Sequence, residues 1–164
     1  MAITSAICNS FKEEILQGGH CLNASGGSPA GNAIKCALYS SNTAALSKST
    51  TVWAAASDPT ADPTDTYEVT TTGSGYSSGG KTLTAIDPTL SGDSAVCDFS
   101  NESWTSATFT ARGLLLYNST AITGFTTNRS ICAINFGGDK TVTSGTFTIE
   151  FPSPAAGTAI IEIA

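Results

Sequence analysis

Apolar and polar residues alternate along most of this chain, and turn clusters cut the alternation into short runs. Ile34 to Tyr39 alternates, as does Thr82 to Ile86, which ends at the Asp87-Pro88 breaker. Tyr67 to Thr71 is rich in β-formers, and Ala95 to Phe99 follows a Ser-Gly-Asp turn. The longest run, Thr105 to Tyr117, sets Thr108, Thr110 and Arg112 against Ala107, Phe109 and Ala111. Beyond Gly113 both faces turn apolar through Leu114, Leu115 and Leu116, so Gly113 marks a predicted bulge or bend where the strand passes under other structure. Ser130 to Phe136, a Gly137-Gly138-Asp139 turn, Lys140 to Phe151 and Thr158 to Ile163 complete the series. The segment Asn42 to Pro63 reads as loop, with Trp53 within it.

One stretch has helical spacing instead. Phe11 and Ile15 are four apart and share a face, Ser10 with Glu13 spells a capping box, and Gly18-Gly19 stops the run. Two turns of helix (about residues 10–17) do not stand alone in water, so this helix must dock on its own sheet or on a neighbour. The expected fold is mainly β: an antiparallel β-sandwich or jelly-roll with one short N-terminal helix. A single domain covers residues 1–164, with strands from about 33 to 163. Ile160, Ile161 and Ile163 predict a packed C-terminal strand.

Composition narrows the function. Charged residues make up 12% of the chain, and Ser and Thr supply much of its polarity. Such a surface is cheap to strip of water when another protein packs on it. A net charge of −6 with scattered Lys and Arg argues against nucleic acid. No run is long and apolar enough for a membrane span, and the first residues do not read as a signal peptide, so folding in the cytoplasm is expected. Cys8, Cys21, Cys36, Cys97 and Cys132 show neither Cys-x-x-Cys nor zinc spacing. They read as buried free thiols, with a Cys8–Cys21 disulfide as the alternative.

Two enzyme patterns coincide at residues 73–82. Gly75, Gly80, Lys81 and Thr82 spell a phosphate-binding loop, and Gly75, Ser77 and Gly79 spell a nucleophile elbow. The first needs a helix after Thr82, where an alternating strand pattern follows. The second needs a histidine downstream of Ser77, and His20, the sole histidine, lies upstream. The segment reads as a glycine-rich turn with Tyr76 at its tip as a contact residue. His20 reads as a cap or packing residue with no carboxylate partner. Asp58, Asp62 and Asp65 read as a solvated loop and not a Ca²⁺ site. Asp98 and Glu102 form the only pairing considered for glycoside hydrolysis. No catalytic, cofactor or metal residues are expected.

Several blocks together resemble small virion proteins of tailed bacteriophages. They are Ser10-Phe-Lys-Glu-Glu-Ile-Leu-Gln-Gly-Gly-His20, Ile34-Lys-Cys-Ala-Leu-Tyr-Ser40, Tyr67-Glu-Val69 leading to Gly75-Tyr-Ser-Ser-Gly-Gly80, Thr108-Phe-Thr-Ala-Arg-Gly113, and Phe136-Gly-Gly-Asp-Lys-Thr-Val-Thr-Ser-Gly-Thr146. The resemblance implies a β-rich structural protein of the particle and supplies no catalytic residues. The favoured role is a capsid cement or decoration protein in the virion, assembled in the host cytoplasm. Its partners would be the major capsid protein and copies of itself, with no nucleic acid and no membrane. Phe11, Ile15, Leu16, Trp53, Tyr76 and Trp104 are its candidate interface residues. The rival reading is a tail- or fibre-associated host-attachment module that binds surface glycan or a receptor protein through Trp53, Trp104 and the Gly/Ser loops.

Overall fold

The computed structural model describes residues 3–24, 30–40, 46–53 and 68–164. The expected acidic loop of Asp58, Asp62 and Asp65, and Tyr67, lie outside the described residues. In chain order the elements are β1 (Ala6–Ile7), α1 (Asn9–Leu16), β2 (Ile34–Tyr39), β3 (Lys81–Thr82), β4 (Ala85–Ser91), β5 (Ser94–Phe99), β6 (Glu102–Asn118), β7 (Arg129–Ile149) and β8 (Ile161–Ile163). They form a five-stranded sheet, β1-β7-β6-β2-β3, and a three-stranded sheet, β4-β5-β8. Every pairing is antiparallel. The expected mainly-β, two-sheet architecture with one short helix is what the chain forms.

The main core lies between the sheets. Cys97, Phe99 and Ile161 of the small sheet pack in one cluster with Cys36, Leu114, Leu116 and Ile131 of the large one. The other face of the large sheet is also covered, because Ile3, Leu46 and Trp53 pack with Ala37, Leu115, Tyr117 and Ala133. This explains the run after Gly113. Alternation sends Leu114 and Leu116 into the inter-sheet core and Leu115 under the N-terminal segment. At Gly113 a Cβ would meet the Ile134 carbonyl oxygen at 2.4 Å and Ile3 Cδ1 at 2.9 Å, so two-sided coverage demands glycine.

β6 and β7 form one long ribbon, and here the sequence reading needs correction. Gly137-Gly138-Asp139 does not end a strand. Between Ala111 and Gly113, β7 moves from Lys140 back to Asn135, so this segment is an oversized bulge within one continuous strand. Asp87-Pro88 does not break a strand either. β4 runs through it, with a register shift between Ile86 and Thr89. Proline is tolerated because β4 is an edge strand, whose outward positions need no N–H donor. The expected Thr82–Ile86 strand therefore divides, with Lys81–Thr82 in one sheet and Ala85–Ser91 in the other.

α1 is placed as expected but held differently. Cys8 is the N-cap residue and makes no side-chain cap bond, while Ser10 lies inside the helix with its hydroxyl buried and unpartnered. The Asn9 N–H instead donates to the Lys48 carbonyl at 2.8 Å, and the Cys8 N–H to that of Ile131 at 2.9 Å. Tertiary contacts thus replace the capping box. Gly18, at φ +77°, ends the helix in the left-handed region. None of the five cysteines is in a disulfide, so the Cys8–Cys21 bond is absent.

Gly80 gives the fold a sharp test. It has φ +66°, and a Cβ there would sit 1.7 Å from the Cys36 carbonyl oxygen. Gly73 has φ +65° but open space around it. Gly80→Ala should cost more than about 3 kcal/mol of unfolding free energy because backbone must shift, whereas Gly73→Ala should cost about 1–2 kcal/mol of left-handed strain. Urea unfolding of the two variants checks this, and equal losses would contradict the packing at Gly80.

Candidate interaction surface

The glycine-rich segment carries an internal anion. Glu68, bridged to Tyr39, accepts the Gly79 N–H at 2.6 Å, the Ser78 hydroxyl at 3.0 Å and the Tyr76 hydroxyl at 2.7 Å. The loop amide that a phosphate would use at Gly79 is therefore already bound to a carboxylate. Lys81 donates to Glu102 at 2.9 Å and to the Ser103 carbonyl, and lies over the Trp104 ring. Ser77 sits in a tight turn, its carbonyl accepting the Gly80 N–H.

Tyr76 does not sit at a tip, which corrects the expectation. It is 3% exposed, and its hydroxyl accepts the Leu38 N–H while donating to Glu68. Phenol and ring are both used, the ring packing near Trp104 and Phe109. Burial, followed by the Glu68 charge, raises the phenol above its ordinary range. Trp104 is buried as well and packs edge-on to Phe147. Phe11 is buried against the main core. None of these three presents its side chain at the surface. Trp53 is half-buried, one face stacked on Tyr117 at 5.0 Å and 11°.

His20 does have a carboxylate partner, contrary to the sequence reading. Its Nε2 lies 2.8 Å from Glu14, and its Nδ1 lies 3.2 Å from Asn118 Nδ2. Arg129 donates to the Gly19 carbonyl at 2.7 Å and lies 3.6 Å from the same Glu14 carboxylate, an ion pair without a hydrogen bond at Nε. This cluster fastens the exit of α1 to the ends of β6 and β7. Neither alternation nor helical spacing signals it, since its members come from four separate stretches of chain.

Several other ionisable groups are embedded. Burial pushes the Cys8 and Cys97 thiols up to about 12 and raises Cys36 and Cys132 as well, which removes their thiolate character near neutral pH. Asp98 is fully buried, accepts the Phe99 N–H at 2.9 Å and the Ile160 N–H at 3.4 Å, and is raised by burial. Glu102 turns to Lys81. The two carboxylates considered for glycoside chemistry thus serve different partners. Among the described residues, no group of three His, Cys, Asp or Glu side chains could hold a metal ion, and no helix is long and apolar enough to cross a membrane.

Three large apolar side chains are exposed among the described residues: Leu16, Leu90 and Ile163. Leu16 is 88% exposed, Ile163 is 58% exposed, and Ile15 is half-buried between them and the core. Leu16, Ile15, Phe11, Ile161 and Ile163 line a groove of about 360 Å³ between α1 and β8. A second groove of about 320 Å³ lies across Ile15, Ile161 and Ile163, so these three side chains form the ridge between two apolar hollows. The helix holds its face because Phe11 and the His20 cluster anchor it, leaving Leu16 unburied. The sequence identified Ile15 and Leu16 as candidates, but not the β8 side of the surface.

The His20 cluster sets a pH dependence. Burial lowers the His20 pKa from its ordinary 6.5, Arg129 lowers it further, and Glu14 opposes both. Below about 6.5 the unfolded chain takes up a proton that the folded chain resists. The stability due to this group is therefore complete above that pH and lost as pH falls below it. The melting temperature should decline on acidification through this window, and His20→Gln should flatten the decline. An equal slope in the variant would assign the effect to another group.

Compared with known protein families, curated proteins and solved structures, the chain finds no match.

Proposed function

We propose that this chain is a structural protein of a phage particle, a capsid cement or decoration protein that binds the major-capsid shell through the surface where α1 meets β8. The observation that carries the reading is the pairing of exposed Leu16 and Ile163 on one apolar groove. A fully exposed leucine on an anchored helix gains about 1.5–3 kcal/mol when a partner covers it. The low charge of the chain keeps the cost of stripping water from the surrounding surface small. Its sequence resemblance to small virion proteins supplies the class of partner. The mechanism is binding alone, added contacts between shell subunits, with many copies compensating for modest affinity at each. Further copies of this chain would be its other partner, and the assembled virion its location.

The glycan-binding alternative draws on Trp53 and Trp104. Trp104 is buried and one face of Trp53 is taken by Tyr117, so the two rings do not form a paired platform.

The test is cosedimentation of the purified chain with shells of major capsid protein that lack it. The wild-type chain should saturate the shells. Leu16→Asp with Ile163→Asp should weaken binding about a hundredfold, from loss of two apolar contacts, with an unchanged melting temperature. Full occupancy by the folded double variant, or no binding by the wild type, would remove this reading.

A further inference from the structure

The edges of the two sheets are not alike. β1 and β3 have two residues each, β8 has three and includes Glu162, and β4 carries Asp87 and Pro88. Short strands, charges and proline are the usual means by which an edge avoids pairing with another chain. The lower half of β7 has none of them. β1 covers only Cys132 and Ala133, so the outer edge of residues 134–149 has no strand partner among the described residues. From Thr141 to Ile149 it carries no charge.

The sequence of that edge is nearly its own mirror image: Thr141-Val142-Thr143, then Ser144-Gly145, then Thr146-Phe147-Thr148. Ser144, at φ +49°, adds one residue at the centre. The extra residue puts Val142 and Phe147 on the core-facing side together, both half-buried, while Thr141, Thr143, Thr146 and Thr148 are exposed. An antiparallel partner strand of identical sequence, centred between Ser144 and Gly145, then matches both faces at once. Thr143 meets Thr146 of the second copy, Thr141 meets its Thr148, and Val142 meets its Phe147. A shift of one residue would set apolar against polar on both faces.

In this register Asp139, offset by Arg112 at 3.5 Å, faces Glu150 of the second copy, so charge does not select the arrangement. Lys140 and Glu150 flank the uncharged run. Both residues also border a cavity of about 400 Å³ beneath the strand, lined by Phe136, Phe147, Ile149 and Phe151. A second copy would close its open side.

We infer that two copies of this chain join by antiparallel pairing of their β7 edges about a two-fold axis between Ser144 and Gly145. A sheet continuous across the axis results, as expected of an isologous contact. The inference holds whether or not the chain decorates a shell.

Sedimentation equilibrium of the purified full chain tests it. The wild type should show a concentration-dependent dimer. Thr143→Lys with Thr146→Lys sets lysine against lysine twice and should weaken the dimer about tenfold or more. Thr143→Glu with Thr146→Lys sets glutamate against lysine twice and should restore it to wild-type strength or better. Both positions are exposed, and far-ultraviolet circular dichroism with thermal melts confirms that each variant folds. A wild type that stays monomeric at millimolar concentration would overturn the inference. So would a dimer indifferent to the lysine pair, or a glutamate–lysine variant as weak as the lysine pair.

Discussion

The antiparallel pairing of β6 with β7 is the constraint on which the rest of the molecule depends. It continues from Glu102 opposite Ile149 to Asn118 opposite Arg129, through irregularities at Ser106, Ser144, the Phe136–Asp139 segment and Ile131. At the Asn118–Arg129 end it supports β1 and β2 and brings Asn118 and Arg129 to the exit of α1. At the other end it extends as two strands, with Trp104, Phe109 and Phe147 in aromatic contact on its core side. The bulges keep apolar side chains on the core face despite mismatched residue counts, because each added residue restores the period-two alternation that a slip would invert.

A second consequence concerns chemistry. Several charged side chains of this chain are held by partners inside the fold. Glu68 holds the glycine-rich turn, Lys81 holds Glu102, and Asp98 holds the β5–β8 junction at Ile160. Buried polar groups that lack partners cost free energy, so a chain with few charges joins these together. The surface left over is threonine, serine and a small set of exposed apolar side chains. Surfaces of that kind suit contact with protein.

The fold was legible where periodicity carries it. Ile34–Tyr39 needed no revision, and the switch at Gly113 from one-sided to two-sided burial could be read from Leu114-Leu115-Leu116 directly. The two misplaced strand ends share a cause: turn residues also occur inside strands. Gly137-Gly138-Asp139 and Asp87-Pro88 are local irregularities inside strands, tolerated because the neighbouring strand pairs again on the far side. Whether a Gly-Gly-Asp cluster ends a strand depends on residues far away in sequence. The candidate surface was half legible. Ile15 and Leu16 follow from helical spacing, but that Phe11 is fully used internally and Ile163 is not depends on where the small sheet lies.

The central claim is that the α1–β8 surface is the face turned toward a shell of other subunits. A cryo-electron microscopy map of the particle that separates β-strands tests this most directly. The account predicts copies distributed over the shell, with α1 and β8 at the shell and Leu16 and Ile163 covered. Copies confined to the tail, or shell-bound copies with α1 and β8 facing solvent, would contradict it.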